Sequence, residues 1–206
     1  MATQAERRAS TRAKLLEAAT EELVARGAGG FTTSAVAERA GVSQGAVFKH
    51  FATKADLLAA TVAEVFAGLV ARYEGQFAAT PAGAAPAERL AAGLDLLWEV
   101  FQDERLLAAY DLFAAARTDP ALQADLQPVV QAHVANLHAL AEALFADLLV
   151  DDLGRLHDAV DLAAATMQGL VINRLAVADP ATEDRVRAML HHWVAERLAL
   201  RQEVGR

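Results

Sequence analysis

The stretch FTTSAVAERAGVSQGAVFKHF, residues 31–51, holds two helix starts ten residues apart, with room for only a tight turn between the helices. Thr33 and Ser43 are polar side chains placed where each helix must begin, able to accept hydrogen bonds from the first unpaired backbone amides. Gly41 falls where the first helix ends, a position at which a left-handed backbone costs least. Val36, Ala37 and Ala40 share one face of the first helix, and Val47 and Phe51, four apart, supply the matching face of the second. Small side chains at 37 and 40 let the two helices cross closely. This is the pattern of a helix-turn-helix, whose second helix projects outward.

Composition suits such a unit embedded in a wholly helical chain. The 206 residues allow one small domain and one larger one, and 54% of them are hydrophobic, much of that alanine. Alanine and leucine dominate while strand formers and turn clusters are sparse, which predicts an all-α fold. The absence of cysteine excludes disulfides, thiolate metal ligands and cysteine nucleophiles. Residues 1–12 are polar and charged, so no secretory signal is expected. The longest uncharged stretches, 75–87 and 162–173, are too short to cross a bilayer. A soluble cytoplasmic protein with no membrane partner is the expectation.

A net charge of −8 argues at first sight against a nucleic-acid partner. The charge is unevenly placed. Residues 1–60 hold eight Lys and Arg against six Asp and Glu, a balance of +2, which leaves −10 on the remainder. Such asymmetry suits a DNA-facing head on a body that repels DNA. A head of +2 is a weak footprint on its own, so two linked heads are part of the argument for DNA binding.

Beyond the head, Thr53 and Asp56 stand at capping-box spacing before a long apolar stripe that runs from Leu57 to about Phe77. Residues 78–85 read as a loop, and Pro86 suits the first turn of the next helix. Leu106, Leu107, Tyr110, Leu112 and Phe113 mark a further one. Asp119-Pro120 and Asp179-Pro180 each read as a cap followed by proline at the first helical position. Pro128 is expected to kink the helix around it or to split off its first turns. Two late segments, 153–177 and 181–200, are apolar or small on more than one face and each need a partner on both sides.

The helix-turn-helix and its flanks resemble the amino-terminal domain of the TetR family of bacterial transcriptional repressors. The resemblance spans roughly residues 10–58. It rests on the leading helix from Thr11 to Arg26 with Leu15, Leu16, Ala18, Ala19 and Leu23, then Gly27, the start at Thr33 to Ala37, the Ala40-Gly41-Val42-Ser43 turn, and the run from Lys49-His50-Phe51 through Lys54 to Leu57-Leu58. One position departs from the family pattern: Phe48 stands where a tyrosine, whose hydroxyl binds a phosphate, is usual. The resemblance implies a head at residues 1–53, comprising an amino-terminal arm and a three-helix DNA-binding unit, and a larger helical body at 54–206 for effector binding and dimerisation.

DNA contacts are accordingly expected from Thr33, Ser43, Gln44, Gly45, Ala46, Phe48, Lys49, His50 and Lys54. Gln44 can address adenine in a bidentate manner, Ala46 can meet a thymine methyl, and Lys49 can reach guanine or phosphate. Gly45 lets the backbone approach closely. By resemblance, Thr33 and Lys54 are positioning contacts at helix starts. Arg7, Arg8 and Arg12 read as an arm that follows a phosphate strand or enters the minor groove, or as an uninvolved terminus.

The family typically houses a small molecule between head and dimer interface. Candidate lining residues are Phe66, Leu69, Trp98, Phe101, Tyr110, Phe113, His133, Leu137 and Met167, a set suited to a hydrophobic or aromatic ligand, though each also reads as plain core. The last two long helices of the family pair with their symmetry mates in a four-helix interface. That places Leu156, Val160, Met167, Val171, Val186, Met189, Leu190 and Trp193 at a homodimer contact, the alternative being internal core helices.

No glycine-rich phosphate loop or serine elbow is present, so neither an enzyme nor a cofactor is expected. The histidine spacings also predict no metal site: His157 and Asp161, four apart, can share a hydrogen bond but have no third ligand nearby in sequence. The reading that unites these features is a homodimeric repressor of a palindromic double-stranded operator with half-sites about 34 to 36 Å apart or a multiple of that, released by a small hydrophobic effector. The alternatives are a helix-turn-helix regulator without a small-molecule effector, and an all-helical ligand-binding protein that no longer binds DNA.

Overall fold

A computed structural model describes residues 3–81, 83–145 and 153–198, and among these every regular element is a helix. In chain order they are α1 (Gln4–Gly30), α2 (Thr33–Arg39), α3 (Gln44–His50), α4 (Lys54–Phe77), α5 (Pro86–Phe101), α6 (Glu104–Ala116), α7 (Pro120–Phe145), α8 (Leu153–Ala176) and α9 (Pro180–Arg197). Among the described residues, backbone contacts group those up to 68 with 104–133 in one compact unit, and those in 69–103 with those from 134 onward in a second.

In the first unit, α1 begins well before the predicted Thr11. The Glu6 amide donates to Thr3 Oγ1 at 3.2 Å and the Thr3 amide to Glu6 Oε2 at 2.6 Å, a reciprocal box that satisfies two orphan donors. Arg7, Arg8 and Arg12 therefore ride on a helix and do not form an extended arm. The helical path breaks at Gly27, whose φ of 62° and ψ of −178° no side chain readily accepts. Leu15, Leu16, Ala19 and Leu23 bury one face of α1, and α6 and α2 pack on this helix.

The cap of α2 is Thr32 and not Thr33. Thr32 has an extended backbone and its hydroxyl accepts from the Ala35 amide at 3.1 Å, which makes Thr33 the first helical residue. Gly41 takes φ 66° in the turn, and Ser43 caps α3 by accepting from the Ala46 amide at 3.2 Å. Val36, Ala37, Val47 and Phe51 are buried as the pattern requires. One charged residue joins this core: Glu22, 1% exposed, receives Arg39 Nη2 at 3.1 Å and lies 2.8 Å from Arg26 Nε. Arg39 also holds Glu21, so the last residue of α2 is tied to α1 at two points. At the start of α4, Thr53 Oγ1 accepts from the Asp56 amide at 2.9 Å, but the Asp56 carboxylate reaches back to the Ala52 amide instead of closing the box on Thr53.

In the second unit, α5 packs against α8 and α9. Gly93 permits a close approach: its carbonyl accepts from Tyr73 Oη at 3.1 Å, and a Cβ there would stand 2.8 Å from Phe145 Cζ. Trp98 is covered by two guanidiniums, Arg174 and Arg187, each 5.0 Å from its ring centroid. Arg174 pairs with Glu183, and Arg187 with Asp95 at 2.9 Å, so the indole is fastened to α8 and α9 together.

Helix α7 continues through Pro128 without splitting, and Asp119 caps its start by accepting from the Ala121 and Leu122 amides at 3.1 Å. The predicted pairing of His157 with Asp161 is replaced by a crossed one. His138 meets Asp161 at 2.8 Å, His157 meets Glu142 at 2.7 Å, and the two rings stack with centroids 4.2 Å apart. Each helix contributes one histidine and one acid four residues apart, and each histidine reaches the acid of the other helix. Among the described residues no group of three or more His, Cys, Asp or Glu is placed to hold a metal.

Candidate nucleic-acid interface

Helix α3 is short, capped at its start and anchored from beneath, which fixes what it can present. Val47 is 1% exposed and Phe51, just past its end, 2%, so the helix cannot roll without opening the core. Gln44, Gly45, Phe48 and Lys49 are consequently exposed, and Ala46 and His50 half-exposed. Ser43, itself exposed, spends its hydroxyl on the cap. Gln44 Nε2 approaches Thr33 Oγ1 at 3.4 Å, a long contact that lets the amide turn toward another partner. Phe48 leaves nearly half its ring, 47%, in water with no hydroxyl to bond an anion.

Lys54 is held differently from the role the resemblance implies. Its ammonium donates to the Phe31 carbonyl at 2.8 Å and sits 5.6 Å from the centroid of the Phe31 ring. It ties the start of α4 to the end of α1. Arg12 is similarly engaged, 5.3 Å from the Phe51 ring centroid. Arg7 and Arg8 are not. With Gln4, Thr11, Lys49 and His50 they line an open groove between the first turns of α1 and the end of α3. Sequence reasoning missed this juxtaposition because it depends on where α1 begins.

The expected effector residues fall in both compact units. Phe66, Tyr110, Phe113 and His133 belong to the first; Leu69, Trp98, Phe101, Leu137 and Met167 belong to the second. Phe66 and His133 stack with ring centroids 3.8 Å apart, and Tyr110 lies 5.6 Å from Phe113. Burial lowers the His133 pKa to about 4, and its Nδ1 is buried with no hydrogen-bond partner among the described residues. Burial likewise pushes the Tyr110 hydroxyl well above its ordinary value. Trp98, predicted to line a pocket, has its ring occupied by the two arginines, while Phe101, Leu69 and Met167 are buried core.

The residues expected at a dimer contact separate into two sets. Leu156, Met167, Val171 and Leu190 are buried within the protomer, between 0 and 4% exposed, because they form the stripes with which α8 and α9 meet their neighbours. Val160 and Val186 are half-buried, whereas Met189 is 64% and Trp193 37% exposed. On α8 the large exposed apolar residues are Leu153, Leu162, Ile172 and Leu175, none of them among the residues expected at the contact. Leu162, Ala165, Gly169, Ile172 and Ala176 recur at helical spacing along a second stripe, the signal that was available.

Comparison with known proteins gives these features a setting. Residues 15–61 match the family model for bacterial regulatory proteins of the tetR family, and residues 82–196 match a tetracyclin repressor-like carboxy-terminal domain. CymR, an HTH-type transcriptional regulator of Pseudomonas putida, is 32% identical over 200 residues, covering 96% of this chain and 95% of that protein. An HTH-type transcriptional regulator of Mycobacterium tuberculosis is 37% identical over 142 residues, 69% of this chain and 71% of that one. A member of the TetR family from Streptomyces coelicolor A3, 27% identical, superposes with a TM-score of 0.62 over 88% of this chain and 96% of that one. The second family model alone matches more than half of the chain, and together with the full-length likeness to CymR it shows that this protein belongs to the TetR family of DNA-binding transcriptional regulators.

Proposed function

We propose that the protein is a repressor that reads a palindromic operator with α3 from each of two subunits and leaves it when a small, largely apolar molecule binds the helical body. Residues 1–53 are the reading head in this account and residues 54–206 the effector and dimerisation body. The observation that carries it is the mounting of α3: Gln44 and Ala46 stand outward at the start, and Lys49 and His50 at the end, of a helix whose cap is Ser43 and whose underside, Val47 and Phe51, is locked into the core. A rigid, outward face is what a major-groove reader demands, its start on the base edges and its end beside the phosphates. Replacing Gln44 or Lys49 with alanine costs about 1 to 3 kcal/mol of operator affinity and leaves the fold intact. Unchanged affinity for both variants in a gel-shift series at fixed salt removes α3 from this role.

The effector reading draws support from His133. A neutral imidazole lying on the Phe66 ring, with one buried nitrogen lacking a partner, offers an apolar ligand one hydrogen bond in an otherwise greasy setting. Dimerisation draws support from Val186, Met189 and Trp193 on one face of α9 and from Leu162 and Ile172 on α8, since exposed apolar stripes of this kind mark contact surfaces. Met189→Glu together with Trp193→Glu halves the mass seen by sedimentation if that assignment holds. A variant that stays dimeric refutes it.

A further inference from the structure

The groove between α1 and α3 supports a second kind of DNA contact, and this inference rests on the reading of α3 above. We propose that it grips the sugar-phosphate backbone beside the bases that α3 reads, with Arg7 and Arg8 as the gripping cations. Six residues line it, Gln4, Arg7, Arg8, Thr11, Lys49 and His50, and none is acidic. Among the described residues Arg7, Arg8 and Lys49 make no ion pair, whereas Arg39, Arg72, Arg174, Arg187 and Arg197 each hold a carboxylate. Glu6, the acid next to Arg7 in sequence, is committed to the Thr3 amide at 2.6 Å. Three of the eight cations in residues 1–60 are thus gathered at one place and left without ion-pair partners among the described residues.

Geometry favours phosphate over base as the occupant. Lys49 and His50 come five and six residues after Gln44, which at the α-helical rise places them roughly 8 to 9 Å farther along the axis. A major groove is about 12 Å wide, so when the start of α3 meets base edges its end is level with the phosphate wall. The capping box makes the support rigid: Arg7 and Arg8 sit in the first turns of a helix, one turn ahead of Arg12, which braces α1 against Phe51. An arm would have to be ordered on binding, and a helix already is.

The test is fluorescence anisotropy of the full chain with two labelled duplexes of equal length, the fragment upstream of its own gene and an unrelated sequence, between 50 and 300 mM KCl. Counterion release predicts that losing two phosphate contacts flattens the plot of log affinity against log salt by about 1.8 per head, and lowers affinity at 100 mM by about sixty-fold per head. Arg7→Gln/Arg8→Gln should show this equally on both duplexes. Arg7→Lys/Arg8→Lys should keep the parent slope, and Gln44→Ala should lose affinity for the upstream fragment alone at an unchanged slope. Both arginines are exposed, and coincident thermal melts confirm that each variant folds. A glutamine variant with the parent slope, or one weakened only on the upstream fragment, overturns the groove assignment while leaving α3 as reader. A parent chain that binds both duplexes equally overturns the reading of α3, and the slope still decides the groove. Failure to bind either duplex overturns both.

Discussion

Gly27 is the position at which one added methyl group should cost most for its size. Its φ of 62° with ψ of −178° lies in a region essentially closed to residues with a Cβ, so alanine must either adopt a strained backbone or straighten the chain between α1 and Phe31. Straightening is blocked, because Leu23 and Phe31, each 1% exposed, anchor the segment on both sides. Two terms then compete. The new Cβ would lie 3.3 Å from Asp111 Oδ2, the tip of an exposed side chain that can swing away, so the steric term is small. The backbone term remains, about 1 to 3 kcal/mol. For a chain of this length a midpoint falls by about 2 to 4 °C per kcal/mol, which makes Gly27→Ala less stable by about 2 to 12 °C in a thermal melt followed by circular dichroism. Gly75→Ala is the control: it lies inside α4 with nothing within 4 Å of the added methyl, and should gain about 0.4 to 1 kcal/mol. If Gly27→Ala melts at or above the parent while Gly75→Ala behaves as stated, the left-handed break in α1 is not the native conformation and the reasoning fails.

His133 should make stability fall as the solution is acidified. Its folded-state pKa is lowered to about 4 by burial while an unfolded histidine titrates near 6.5, so the unfolded chain binds the extra proton first and the stability is lost as pH falls between about 6.5 and 4. The loss is about 1 to 2 kcal/mol once the ring's partial contact with water is allowed for, and His133→Phe, which keeps a ring against Phe66, should flatten that part of the pH profile in urea melts. An unchanged profile shows that His133 is not buried in its neutral form. Gly93→Ala should destabilise the protein by about 1 to 3 kcal/mol, since a methyl group there meets Phe145 and Tyr73 at 2.8 and 2.9 Å and both rings are buried. A midpoint within error of the parent would show that this contact is looser than described. Phe48→Tyr restores a hydroxyl at an exposed site beside Lys49; it should tighten duplex binding by about 1 kcal/mol and leave the melting temperature unchanged, and weaker binding would place residue 48 away from the phosphates.

Where structure is decided locally, the sequence was readable. Ser43, Asp119 and Asp179 cap their helices because a polar side chain two or three residues before the first free amides has one best use. The same rule left Thr32 and Thr33 undecided, since adjacent threonines offer equivalent hydroxyls and only the extended backbone at Thr32 chooses between them. The start of α1 was legible too, in the Thr-Gln-Ala-Glu spacing of a capping box at residues 3–6, but the charge of Arg7 and Arg8 suggested a solvated arm instead. Trp98 could not be placed from sequence, because the arginines that cover it lie 76 and 89 residues away and no local pattern announces them.

Helix α8 shows why the exposed apolar residues in particular escaped. Its apolar positions form two stripes, one through Leu156, Ala163, Met167 and Leu170 and another through Leu162, Gly169 and Ile172. Periodicity reveals that both exist, and it gives the side each faces only relative to the other, so a helix apolar on two sides can be turned over without changing the pattern. Packing against α5 and α9 breaks the tie, burying Met167 completely and leaving Ile172 41% exposed. The smaller stripe, interrupted by Gly169 and by alanines at 165 and 176, is the one left in water, and under the proposed dimer its small residues would let two helix backbones approach closely. A residue count would have favoured the opposite choice, because the bulkier stripe is the more hydrophobic; bulk identifies the core, and a close helix crossing of the kind proposed between subunits would ask for the reverse.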